Sequence, residues 1–152
     1  MALKEAIELL KKGHAYAKRT KYKEALGYYN RALSLDPRCA EGLFLRASIY
    51  IDTGKYKEAL EDCDKALALN QNYSDAWSKK ALALYHLERY DDAIVASTRA
   101  ASLNGNDVNA WYIKGVCLDE VGRSDEAQEA YGRSLELEII LDIQAESKKI
   151  RK

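Results

Sequence analysis

Apolar and polar residues follow one another along the chain with a helical period, broken at regular intervals by short polar turns. Leu43, Ala47 and Tyr50 fall at helical spacing, and after a break Tyr56, Ala59, Leu60 and Cys63 do so again. Residues three or four apart share one face of an α-helix, so each stretch reads as an amphipathic helix. The breaks include LDPR at 35–38 and DTGK at 52–55, where Asp, Pro, Thr and Gly favour turns. The pattern therefore predicts pairs of helices of about 14 residues each, joined by short turns.

The pairs repeat. KYKEAL stands at 21–26 and again at 55–60, a displacement of 34 residues. At the same step Gly13 is followed by Ala47, Ala81 and Gly115, and Tyr22 by Tyr56, Tyr90 and Ser124. Ala25 leads to Ala59, Ala93 and Ala127, Ala32 to Ala66, Ala100 and Ser134, and Leu35 to Leu69, Leu103 and Leu137. Four copies run without insertion over 6–39, 40–73, 74–107 and 108–141. Helices approach to about 8–10 Å only where the crossing side chains are small. The Gly13 column on the first helices is expected to meet the Ala25 column on the second ones. The Tyr22 column opens each second helix and fills the wedge beside the turn. The Ala32 column offers a small surface to the next copy. One helix pair cannot bury its apolar face alone, so the copies must stack into an α-solenoid.

Composition narrows the class. The 152 residues carry 24 Lys and Arg against 24 Asp and Glu, with 47% apolar residues and a single Pro. A balanced charge gives nucleic acid no electrostatic footing. The balance hides blocks, because residues 1–38 hold nine basic against four acidic side chains. Residues 39–147 hold 11 against 20, and the end, KKIRK, is wholly basic apart from one Ile. Basic ends of this kind can select an acidic partner or meet the acidic middle of another copy. Cys39, Cys63 and Cys117 are odd in number and form no CxxC pair, which points to reduced thiols and a cytoplasmic setting. No apolar run reaches the roughly 20 residues of a membrane span, and MALKEAIELLKKG lacks the build of a signal peptide.

These columns together resemble the tetratricopeptide-repeat (TPR) family over nearly the whole chain. The family places an aromatic or Leu early in the first helix, matched by Leu9, Leu43, Trp77 and Trp111. A small residue follows four positions on, at Gly13 and its column, and then an aromatic at Tyr16 and Tyr50, where Leu84 and Leu118 depart. The closing Pro is met only by Pro37, with Gln71, Gly105 and Ile139 in its place elsewhere. The resemblance implies a right-handed superhelix whose first helices line a concave groove that binds a peptide or amphipathic helix. On this sequence the implied partner-binding residues are Leu10, His14 and Lys18 in the first copy, and Phe44, Leu45, Ser48 and Ile51 in the second. Lys79, Leu82 and Tyr85 follow in the third, and Tyr112, Ile113, Val116 and Asp119 in the fourth. Co-chaperone members of the family grip a terminal carboxylate with Lys, Asn and Arg. Here the matching places hold Leu10, His14, Leu45, Asp75 and Lys79, of which only Lys79 is a suitable cation.

Catalytic and metal chemistry have little to stand on. His14 and His86 lie two repeats apart, each without a Cys or carboxylate at ligand spacing on its own turn, so no metal site or cofactor is expected. No phosphate-cradling Gly loop, GxSxG or HExxH occurs. EDCD at 61–64 is acidic, but Asp62 and Asp64 point to different sides of a helix, which predicts a solvated face. The expectation is a non-catalytic interaction module.

The C-terminus departs from the repeat. From Arg133 onward no Pro or Gly interrupts LELEIILDIQAESKKIRK. Either Asp142 caps a short helix that folds back over the fourth repeat, or the last helix runs straight on, and propensity favours the second. A straight helix over 139–152 exposes Ile139, Ile140, Ile143 and Ile150. The alternative function is then a self-assembling scaffold, a homodimer or larger oligomer formed through this helix.

Overall fold

The computed structural model describes residues 1–152 and contains eight α-helices and no strand. They are α1 (Ala2–Lys18), α2 (Tyr22–Leu35), α3 (Ala40–Asp52), α4 (Tyr56–Leu69), α5 (Ser74–His86), α6 (Tyr90–Leu103), α7 (Val108–Glu120) and α8 (Ser124–Ile150). Each helix packs on the next along the chain. In addition α1 touches α3, α3 touches α5 and α5 touches α7, while no two of α2, α4, α6 and α8 approach within 8 Å between Cα atoms. The odd-numbered helices therefore crowd the inside of a curve and the even-numbered ones fan out along its outside. The protein is an all-α solenoid of four stacked helix pairs.

Small side chains make the crossings possible. Ala25, Ala59, Ala93 and Ala127 are wholly buried, as are Ala47 and Ala81 opposite them. Ala32, Ala66 and Ala100 are equally buried and Ser134 nearly so. Its hydroxyl donates to the Val108 carbonyl at 3.1 Å, which ties α8 to the start of α7. Larger residues fill the spaces between pairs, with Tyr29, Leu84 and Leu118 each at most 1% exposed. Burying one such side chain contributes about 2–3 kcal/mol.

The turns inside the four pairs share one geometry. At α1's end the Lys21 N–H donates to the Tyr16 carbonyl at 3.0 Å and the Thr20 N–H to the Ala17 carbonyl at 2.9 Å. This pair of bonds closes a helix through a residue in the left-handed region. That residue is Thr20, Gly54, Glu88 or Gly122, all with φ between 56° and 79°. Glycine suits the position because it has no Cβ to clash. The turn fixes the angle at which each second helix returns against its first.

Asp62 overturns the solvated-face expectation. It is only 2% exposed, and its carboxylate accepts from Arg46 Nε and Nη2 at 2.7 Å each. Arg46 Nη1 also reaches Asn30 Oδ1 at 3.0 Å, so one side chain of α3 joins α2 to α4. Asp64 instead meets Lys80 of the following repeat at 2.7 Å.

The last helix continues through Asp142 without a break and reaches 27 residues, against 14 in each of α2, α4 and α6. Every residue from Glu138 to Lys152 is exposed.

Candidate functional site

A cleft of about 630 Å³ lies on the inner side of the curve, bounded by α3, α5, α7 and the turn before α7. Ser78, Leu82 and Tyr85 recur at helical spacing along α5, and Asn109, Tyr112, Ile113 and Val116 do so along α7. That spacing puts each set on one helical face, and stacking turns both faces inward. Phe44 closes the α3 side, its ring 5.3 Å from that of Tyr73. Tyr112 is 56% exposed and lies against Tyr131 with ring centroids 5.8 Å apart. The floor and walls are thus apolar and aromatic.

The polar groups sit at the rim. Asn104, Asn106 and Asp107 come from the turn between α6 and α7, and Asp75 from the first turn of α5. Asp107 caps α7 by accepting from the Ala110 N–H at 3.0 Å, which holds its carboxylate at the cleft edge. Asn104 Oδ1 accepts from the Asn106 N–H at 3.1 Å and shapes the same turn. Lys79 is the one cation lining the cleft, facing two aspartates. Beside it, burial and the nearby Glu41 and Asp75 push the Tyr73 phenol up to about 12, so Tyr73 is a neutral hydrogen-bonding group at neutral pH.

A second cleft of about 280 Å³ lies towards the first repeat, lined by Ile7, Leu10, Lys11, His14, Cys39, Glu41 and Leu45. Cys39 Sγ caps α3 from the Gly42 N–H at 3.4 Å.

The structure sorts the expected groove residues into three groups. Phe44, Lys79, Leu82, Tyr85, Tyr112, Ile113 and Val116 share the larger cleft, and Leu10, His14 and Leu45 the smaller one. Within these, Leu10 and Ile113 are 6% and 7% exposed, so they form floor and not free contact surface. Ile51 must be corrected outright, since it is buried with Ala47, Ala59, Cys63 and Ala83 and lines neither cleft. The curvature that packs α3 on α5 covers it. Lys18, Ser48 and Asp119 also lie outside both clefts. The Ser48 hydroxyl donates back to the Phe44 carbonyl at 3.0 Å, and Asp119 accepts from the Tyr131 hydroxyl at 3.0 Å. Burial and that hydrogen bond raise the Tyr131 phenol to about 12. The sequence reading missed Asn104, Asn106 and Asp107, because helical periodicity cannot say where a turn lies relative to the groove.

Ile139, Ile140, Ile143 and Ile150 are 50%, 40%, 61% and 84% exposed on the extension of α8. No three His, Cys, Asp or Glu side chains converge in metal-binding geometry, and no helix is long and apolar enough to cross a membrane.

Two family models match in overlapping succession, one described as Tetratricopeptide repeat over residues 10–74 and one as Anaphase-promoting complex, cyclosome, subunit 3 over 62–134. No curated protein sequence matches significantly. Among solved structures the chain is similar to MamA, at 25% identity over 97% of this chain and 81% of that one, with a TM-score of 0.80. It is similar to the first TPR of Spaghetti (RPAP3) bound to the HSP90 peptide SRMEEVD, at 29% identity over 78% and 94%, with a TM-score of 0.77. It is likewise similar to YrrB, a TPR protein with an unusual peptide-binding site, at 29% identity over 87% and 68%, with a TM-score of 0.77. The period, the helix pairs, the left-handed turns and these matches agree, and the chain is similar to tetratricopeptide-repeat proteins.

Proposed function

We propose that the chain is a non-catalytic protein-interaction module whose inner cleft binds an extended peptide or an amphipathic helix. The observation that carries this reading is the larger cleft, whose half-open Phe44, Leu82, Tyr85 and Tyr112 offer anchors inside a polar rim. Aromatic side chains in such a setting dominate binding energy, because they bury large areas with little rotamer freedom to lose. The similarity to a domain bound to an HSP90 peptide and to YrrB, with its peptide-binding site, supports a peptide as the ligand. An acidic chain end suits this cleft poorly, since Asp75 and Asp107 outnumber Lys79. The same imbalance speaks against nucleic acid. Its three free cysteines are consistent with a reducing, cytoplasmic setting.

The test is a quantitative pull-down from source-cell lysate with the wild-type chain and a Phe44→Glu/Tyr112→Glu variant that stays helical by circular dichroism. Proteins lost with the variant, and then bound directly at least about tenfold more tightly by the purified wild type, support the groove. Identical captures with both baits overturn it.

A second reading is a self-assembling scaffold that uses the extension of α8. It rests on the exposed Ile139, Ile140, Ile143 and Ile150 on the part of α8 that extends beyond its packing on α7.

A further inference from the structure

The extension of α8 carries an apolar stripe. Leu135, Ile139, Ile143 and Ile150 fall within one face at 100° per residue, and they are 57%, 50%, 61% and 84% exposed. Glu146 interrupts the stripe and pairs with Lys149 at 2.6 Å. Around it the charges are segregated, with Glu136, Glu138 and Asp142 at the start and Lys148, Lys149, Arg151 and Lys152 at the end. It is an amphipathic helix with an acidic beginning and a basic finish.

The inner face of the solenoid has the complementary order. Its larger cleft, towards the last repeats, is rimmed by Asp75 and Asp107 against the single cation Lys79. Towards the first repeat Lys11, paired with Glu8, shares the smaller cleft with Glu41, and Lys18 adds a further cation at the end of α1. The extension from Glu138 to Ile150 has 13 residues and measures about 20 Å at 1.5 Å per residue. That length matches the two interhelical spacings, of about 8–10 Å each, between α3 and α7. A chain cannot fill its own cleft this way, because α8 is unbroken through Asp142 and packs only on α7.

We propose that the occupant of the concave cleft is the α8 extension of a second copy of this chain. This rests on the groove reading of Proposed function and names its partner. Ile139 and Ile143 seat on the apolar floor between Phe44, Leu82 and Tyr112. The basic end lies over Asp75 and Asp107, and the acidic start faces the Lys11 side. Donor and acceptor surfaces differ, so the contact is head-to-tail and leaves one free cleft and one free extension in every pair. Assemblies grow with concentration and weaken with salt, since part of the attraction is between exposed charges.

Sedimentation velocity across a concentration series tests this with the wild-type chain and three variants of it. The wild type is expected above monomer mass. A tail variant, Ile139→Asp/Ile143→Asp, and a groove variant, Phe44→Glu/Tyr112→Glu, are each expected to lose assembly and run as monomers. Mixed together they are expected to regain a species of two chains and no more, because one intact tail then meets one intact cleft. Lys148→Glu/Lys149→Glu, which keeps the apolar stripe, is expected to shift assembly to higher concentration. A wild type that stays monomeric throughout overturns the proposal. So does a groove variant that still assembles when the tail variant does not, which is the signature of tail-to-tail pairing. A monomeric wild type that loses a captured partner only through the groove substitutions overturns this inference and leaves the peptide-binding reading standing.

Discussion

The Tyr29 ring occupies the space a side chain on Gly13 would need, its Cε1 lying 2.6 Å from where a β-carbon on Gly13 would stand. Gly115 and Tyr131 repeat the arrangement at 2.7 Å. At the same places the second and third repeats carry Ala47 with Cys63 and Ala81 with Ser97. A large ring thus faces glycine, and a small side chain faces alanine. Gly13→Ala is expected to destabilise the chain by about 1–3 kcal/mol through overpacking, measured as a lowered urea midpoint. Adding Tyr29→Cys, which reproduces the second repeat's pair, removes the clash. In a double-mutant cycle the pair therefore costs less than the sum of the single changes, with a coupling of about 1 kcal/mol or more. Simple additivity would show that Gly13 is needed for some other reason.

This pairing marks where the sequence stopped being readable. Constant columns such as Ala25, Ala59, Ala93 and Ala127 announce themselves at a step of 34, and with them the helix pairs and the stacking. Tyr29, Cys63, Ser97 and Tyr131 form a column too, but compensation between two columns leaves neither one constant. Asp62 was misread for a similar reason, since its partner Arg46 sits on another helix and periodicity within α4 cannot show it. The cleft was legible through Tyr85 and Tyr112, whose spacing fixes their helical face. Its rim at Asn104 and Asn106 depends on how one repeat is rotated against the next. The straight run of α8 could be read because continuity is a local property of residues that do not break helices.

The left-handed turn position offers a stability increment at two sites. Thr20 and Glu88 hold φ of 56° and 59°, where a side chain costs about 1–2 kcal/mol and a β-branched one fits worst. Thr20→Gly and Glu88→Gly are each expected to raise unfolding free energy by about 1 kcal/mol, with the larger gain at Thr20. Gly54→Ala, at φ 78°, is expected to lose about as much. Chemical denaturation of the four chains decides it, and a loss of stability in Thr20→Gly would contradict the strain assignment.

Arg46 and Asp62 form the one ion pair whose acid is almost fully buried, at 3% side-chain exposure against 20% for the arginine. The hydrogen bonds to Asp62 hold the Arg46 guanidinium above its ordinary range despite the cost of burial. Arg46→Ala strands a buried carboxylate and is expected to cost about 3 kcal/mol. Replacing both residues with leucine is expected to be far milder, because no charge is left without a partner. If the double change proves as costly as the single one, the network with Asn30 is holding α2, α3 and α4 together in a way apolar packing cannot replace.

Burial separates the three thiols and sets an alkaline limit on stability. Cys63 is pushed up to about 12 and Cys117 to about 11 from an ordinary value of 9.0, chiefly by desolvation. The Tyr73 and Tyr131 phenols rise to about 12 from 10.0 for the same leading reason. In each case the folded state keeps a proton that the unfolded chain releases at lower pH. The resulting stabilisation is whole below about pH 9 and drains away as pH climbs towards about 12. Urea midpoints are therefore expected to fall between about pH 8 and pH 10.5, and less steeply in Cys63→Ala, which lacks one titrating group. At neutral pH a thiol reagent should label half-buried Cys39 quickly and reach Cys63 and Cys117 only on opening of the fold. Equal labelling rates for all three in the native protein would mean that Cys63 and Cys117 are no better shielded than Cys39, and the thiols' share of the alkaline fall would then be absent.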